Sequence, residues 1–161
     1  MRLRYLCVCL MMTLMGVADC ASFYVIRHAE KGPGDDPGLT VEGQQRAQRI
    51  ANLLSLTDIE AVYSTNYHRT RQTAESIAQL KNLPVQQYDP KALKQFAKKL
   101  LLKNSSAVIV GHSNTTPQLA RLLSGQSVPD MEEKSFNLIY QVITIPDSDM
   151  AHGVVNVLNS D

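Results

Sequence analysis

Beyond position 20 the chain has no cysteine: Cys7, Cys9 and Cys20 are its three. Residues 21–161 are thereby denied a disulfide framework and thiol chemistry, and an apolar core must hold them. Neither sign of charge is in excess. Leaving out residues 1–20, the chain carries 14 Lys and Arg (16 less Arg2 and Arg4) and 14 Asp and Glu (15 less Asp19). Such a domain exerts no long-range pull on nucleic acid or anionic lipid, so any attraction for an anion must be local. No apolar run reaches the roughly 20 residues that a spanning helix needs. No linker, repeat or low-complexity stretch divides residues 21–161, which is the size of one ordinary domain.

The longest apolar run, residues 5–17, follows the basic pair Arg2 and Arg4 and precedes Gly16, Ala18, Asp19 and Cys20. That is the pattern of a secretory signal peptide. The expected organisation is a signal peptide over 1–20 and a single domain over 21–161, periplasmic or secreted, with no transmembrane segment in the mature protein. Cys20 after Val-Ala-Asp loosely resembles a lipoprotein box. Asp19 fits that box poorly, so lipidation of Cys20 is the second choice.

What is present alternates between strand and helix. Residues 23–26 form a short aromatic and β-branched run that reads as a strand. Arg27 and His28 stand at its end, and the turn-rich Gly32-Pro-Gly-Asp-Asp-Pro-Gly38 follows. Thr40 predicts an N-cap. Ala47, Ile50, Ala51 and Leu54 predict one buried face of a helix over 41–54, with Arg46 and Arg49 read as solvated. A strand over 59–63, a helix over 69–80, a strand over 85–88 and a helix from Pro90 to about 102 come next. Asp89 is the expected cap there, and the lysines at 91, 94, 98, 99 and 103 its solvated face. Residues 107–110 are uniformly apolar, as a central strand covered on both faces should be, and His112 follows. A helix from Thr115 or Thr116 to about Leu123, with Gly125 as its C′ residue, leads to a polar loop. Residues 136–145 and 153–158 then predict a hairpin about a Pro-Asp-Ser-Asp turn. The whole is an α/β fold: a three-layer α/β/α sandwich with a mostly parallel central sheet and a C-terminal antiparallel hairpin.

Open sheets bind ligands outside the carboxyl ends of their strands. Arg27, His28, Arg69 and His112 all fall there. Two guanidiniums suit a phosphate dianion. One imidazole can attack phosphorus if its other ring nitrogen is tied to a backbone carbonyl, and a second can stabilise developing charge. The helix beginning near Asn114 would aim free N–H groups at the same anion. A metal held by His28, His68, His112 and Asp35 or Asp36 is the rival constellation. It has no short His-x-His or Cys pair, and Arg27 would repel a cation.

Four segments carry a family resemblance. Arg27-His28-Ala29-Glu30 resembles the Arg-His-Gly-Glu signature of the histidine phosphatase superfamily, also called phosphoglycerate mutase-like. Leu39-Thr-Val-Glu-Gly-Gln-Gln-Arg-Ala47 is similar to its Leu-Thr-x-x-Gly-x-x-x-Ala helix start. Ser64-Thr-Asn-Tyr-His-Arg-Thr-Arg-Gln-Thr-Ala74 resembles its Arg-x-x-Gln-Thr-Ala segment. Gly111-His-Ser-Asn-Thr-Thr-Pro117 resembles its second-histidine motif. The resemblance implies a metal-independent enzyme without organic cofactor. In it His28 is the phosphohistidine-forming nucleophile, Arg27 and Arg69 are phosphate ligands and His112 completes the pocket, with Ser113 and Asn114 expected to touch substrate.

The chain departs from larger members in having only about 40 residues between Arg69 and His112, too few for the insertion that supplies their general acid. Asp35, Asp36, Glu30 and the Glu132-Glu133 loop are the candidates, with Asp35 or Asp36 preferred because their loop leaves the sheet beside His28. A short insertion also implies a shallow cleft, as in compact SixA-like phosphohistidine phosphatases. With an exported location, the expected function is phosphomonoester hydrolysis on an extracytoplasmic small-molecule or glycan phosphate. A SixA-like protein phosphatase and a non-catalytic phosphate-binding envelope protein are the alternatives. The expected state is a monomer or weak homodimer.

Overall fold

The computed structural model describes residues 20–144 and 152–161. Its elements are β1 (Ser22–Arg27), α1 (Val41–Leu53), β2 (Ala61–Ser64), α2 (His68–Lys81), β3 (Val85–Gln87), α3 (Leu93–Lys103), β4 (Ala107–Gly111), α4 (Thr115–Ser124), β5 (Leu138–Thr144) and β6 (Gly153–Asn159). The six strands form one sheet in the order β3-β2-β4-β1-β5-β6. β3, β2, β4 and β1 run parallel, while β5 and β6 are antiparallel.

The period-2 alternation of strand side chains divides the core into two layers. Phe23, Val25, Ala107 and Ile109 face α3 and α4, against Leu93, Phe96, Leu100, Leu119 and Leu123. Tyr24, Ile26, Val108 and Val110 face α1 and α2, against Ile50, Leu54, Ala74 and Ile77. All five residues of β4 are buried, which is why its sequence carries no polar position. Truncating a residue such as Ile109 to alanine costs about 2–5 kcal/mol by the cavity it leaves.

β4 lies between β1 and β2. The helices that follow β1 and β4, α1 and α4, cover opposite faces of the sheet. Neighbouring strands whose connections diverge in this way open a crevice at their carboxyl ends. Arg27 pairs with Gly111 there, and His28 N donates to Gly111 O at 3.0 Å. The two strand-end histidines are thus brought side by side by main-chain register.

The ends of the helices follow local chemistry. Thr40 Oγ1 accepts from Gly43 N at 3.1 Å. A side chain at Gly43 would place its Cβ 2.1 Å from Glu30 O, so α1 passes the chain leaving β1 at a distance only glycine permits. α2, α3 and α4 end on Asn82, Asn104 and Gly125 in the left-handed region, the usual helix stop.

Several expectations change in detail. The segment after Asp89 begins as a 3-10 turn, Pro90–Ala92, because the Asp89 carboxylate accepts from Lys91 N at 2.8 Å and tightens the entry. β5 starts at Leu138, two residues later than predicted. Arg46 is not solvated. It is 9% exposed and pairs with Glu30 at 2.7 Å and Asp161 at 2.6 Å, because the end of β6 folds back over α1. The turn at 146–149 and residues 1–19 of the expected signal peptide lie outside the described residues.

Candidate active site

At the carboxyl ends of β1 and β4 lies an open cleft of about 440 Å³. Arg27, His28, Lys31, Tyr67, Arg69, Lys91, His112, Ser113, Asn114 and Glu133 are among the residues that line it. The four residues singled out for phosphate chemistry, Arg27, His28, Arg69 and His112, therefore share one cavity. The imidazole centroids of His28 and His112 are 5.7 Å apart.

Arg27 is 3% exposed. Its Nη1 donates to the carbonyls of Glu132, at 3.0 Å, and Glu133. Its Cζ lies 4.2 Å from the centroid of the Phe136 ring. Arg69 Cζ lies 4.5 Å from the centroid of Tyr67, and its Nη1 is 3.5 Å from Asp36 Oδ1. Each guanidinium is thus backed by an aromatic ring that orients it without neutralising it. The buried Nε of each has no hydrogen-bond partner among the described residues.

The two histidines are held by different means. His28 Nδ1 is 2.8 Å from Ala29 O. A carbonyl only accepts, so Nδ1 carries the proton and Nε2 keeps its lone pair. Burial pushes the His28 pKa down to about 3, with further lowering from Arg27, Arg69 and His112; the Ala29 carbonyl opposes the shift. His112 Nε2 instead lies 3.0 Å from Thr65 Oγ1, which is itself 3.0 Å from Thr70 Oγ1. Thr70 in turn donates to the carbonyls of Thr65 or Tyr67. Burial, then Arg69 and Arg27, push His112 down to about 4. At neutral pH both rings are uncharged while both arginines are cationic. The cleft is a fixed positive field holding two neutral bases, an arrangement that awaits an anion.

Helix α4 begins at this cleft, and Ser113, Asn114 and Thr115 all line it. Its N-terminal dipole adds to the positive field.

The carboxylate candidates fare differently. Glu30, although two residues from His28, turns away to bind Arg46. Asp35 is exposed and is not among the lining residues. Asp36 stands at the margin, accepting from His68 N at 3.0 Å and facing Arg69. His68 is outside the cleft, and no cluster of three or more His, Cys, Asp or Glu suited to a metal occurs among the described residues. Glu133 is the carboxylate that lines the cleft. Lys31, Tyr67, Lys91, Thr65 and Phe136 were not anticipated from sequence as parts of the site. An aromatic two positions before Arg69 was the one available hint, for Tyr67.

Residues 23–90 match the profile of the histidine phosphatase superfamily, branch 1. That span takes in Arg27, His28 and Arg69. The chain is 25% identical over 150 residues to a probable phosphoglycerate mutase, GpmB, of Escherichia fergusonii, covering 81% of this chain and 69% of that protein. Its fold resembles the protein histidine phosphatase SixA solved with tungstate, with a TM-score of 0.71 and 20% identity over 86% of this chain and 97% of that one. It also resembles a mycobacterial glucosyl-3-phosphoglycerate phosphatase, with a TM-score of 0.72 and 12% identity over 89% and 100% of the two chains. The profile match ends before His112, whose place beside His28 comes from the fold.

Proposed function

We propose that this protein is a histidine phosphatase superfamily member and hydrolyses phosphomonoesters through a phosphohistidine on His28. One observation carries the proposal: a buried neutral imidazole whose Nδ1–H is tied to a main-chain carbonyl, in a cleft that also holds two guanidiniums. In this reading Arg27 and Arg69 grip the phosphoryl oxygens, and the Nε2 lone pair of His28 attacks phosphorus opposite the leaving oxygen. That oxygen departs as the P–O bond breaks. His112 donates to a non-bridging oxygen as charge builds there. Water then attacks the phosphohistidine, releasing inorganic phosphate and restoring the neutral ring. Phosphate binding brings a dianion beside His28 and offsets the field that depresses its basicity.

Glu133 is the proposed proton donor to the leaving group, because it lines the cleft and Asp35 and Asp36 do not. The openness of the cleft and the likeness in fold to a SixA protein favour a second reading, in which the phosphate sits on a protein histidine. We assign the activity to the periplasm or extracellular space on the pattern of residues 2–20, which favours a small-molecule or glycan phosphate over a cytoplasmic phosphoprotein.

The test is turnover of 4-nitrophenyl phosphate, a substrate whose good leaving group needs little acid assistance. The wild type should hydrolyse it, and His28→Ala should lose at least about 10³-fold in kcat/KM. Equal turnover by the two proteins would overturn the proposal.

A further inference from the structure

The cleft holds more positive charge than one phosphoryl group uses. Besides Arg27 and Arg69, Lys31 and Lys91 line it, on the exit of β1 and on the 3-10 turn before α3. Against these four cations stand Glu133, the one carboxylate among the described lining residues, whose charge acts on Arg27, and Asp36 at the margin, 3.5 Å from Arg69 Nη1. Neither lysine has an ion-pair partner among the described residues. The domain as a whole is neutral, so this surplus is local and does not reflect general basicity.

The surplus also has a direction. A second trough of about 390 Å³ adjoins the cleft, sharing Pro90 and Lys91 with it and continuing over Ala92, Lys94 and Gln118. Lys91 therefore borders both cleft and trough, and Lys94 lines the trough alone. The Asp89 carboxylate is committed to Lys91 N, which fixes the turn that presents this side chain. Among the described residues no carboxylate lines the trough.

We infer that the cleft takes a phosphomonoester whose leaving group carries a second anionic group, phosphate or carboxylate, and that Lys91 at the trough mouth, aided by Lys31, binds that group. The inference rests on the phosphate reading of Arg27 and Arg69. It goes further in naming a substrate class and a specificity-determining residue. An ammonium is a mobile point charge and suits an anion whose distance from the ester varies. The two fixed guanidiniums suit the phosphoryl group itself.

The test uses binding, so it does not depend on turnover. Calorimetric titration compares a series of α,ω-alkylbisphosphonates with the matching alkylmonophosphonates, on the wild type and on Lys91→Ala. One spacing should bind the wild type about tenfold more tightly than its monophosphonate, equivalent to ~1.4 kcal/mol. In Lys91→Ala that ratio should fall toward the statistical factor of two, and Lys91→Arg should retain most of it. A wild-type ratio no greater than two at every spacing, or a ratio unchanged in Lys91→Ala, would overturn the inference. Failure of monophosphonates to bind at all would instead count against the phosphate reading beneath it. A carboxyalkylphosphonate series on the same proteins separates a phosphate from a carboxylate as the second group.

Discussion

His28 and His112 occupy the same positive field, yet they are secured in opposite ways. His28 hangs on the main chain. Its Nδ1–H donates to the carbonyl of the next residue, a group that no side-chain change removes. His112 hangs on the side chains of Thr65 and Thr70, both fully buried hydroxyls that can donate or accept. Under the proposed mechanism the difference separates two tasks. A nucleophile needs one lone pair permanently free, and a carbonyl enforces that tautomer. A group that must hold or give a proton during the reaction is better served by a partner that can reverse its hydrogen bond.

Perturbations that treat the two rings alike should therefore have unlike effects. The largest loss should come at His28 itself, as described for 4-nitrophenyl phosphate. Next, Arg69→Ala should lower kcat/KM by about 10²–10³-fold, the scale of losing a charged transition-state contact. Arg69→Lys should recover little of it, because an ammonium cannot reproduce the fork held against Tyr67. Thr65→Val should cost less, about tenfold in kcat, and should shift the pH profile, while Thr65→Ser keeps both near the wild type. A Thr65→Val protein with an unaltered pH profile would show that the hydroxyl only fills space.

Stability gives a further contrast. Burial sets the folded pKa values of both histidines, about 3 and about 4, below their ordinary value of 6.5. Between those limits the unfolded chain binds more protons than the folded one. Stability from these groups is complete above pH 6.5 and is lost as pH falls toward 4 and then 3. Denaturant titration across pH 4–7 should show this fall, and the double variant His28→Ala, His112→Ala should flatten it. The smallest effect on catalysis should come from Arg46→Ala. It breaks the bonds to Glu30 and Asp161 that brace the chain after His28. It should cost about 1–3 kcal/mol in stability by stranding the half-buried Glu30 carboxylate, with kcat changed far less than by Arg69→Ala.

The cleft residues proposed to react were legible because they sit where local pattern ends. Arg27-His28 and His112 each close an apolar run, and strand ends are where an α/β sheet exposes its chemistry. The sheet itself was legible from those runs, and the caps at Thr40, Asp89 and Gly125 from single-residue preferences. What escaped depends on contacts far apart in sequence. Nothing near Arg46 announces that Asp161 will reach it from 115 positions away. Glu30 looked like a site residue because it neighbours His28, yet it leaves by the opposite side of the chain to meet that same arginine. Phe136 and the carbonyls of residues 132 and 133 approach Arg27 only because the loop after α4 returns over the end of β1. The basic turn at Lys91 looked like a solvated helix face, since periodicity cannot say which end of a helix borders a cleft.

The measurement that bears most directly on the account is rapid quenching of the protein in alkali during turnover of a phosphomonoester, followed by mapping of the phosphoryl group. The tautomer fixed by Ala29 O predicts a phosphoramidate on Nε2 of His28, stable in alkali and lost in acid. Phosphate found on His112 or on Nδ1 of His28, or turnover with no phosphohistidine at all, would contradict it.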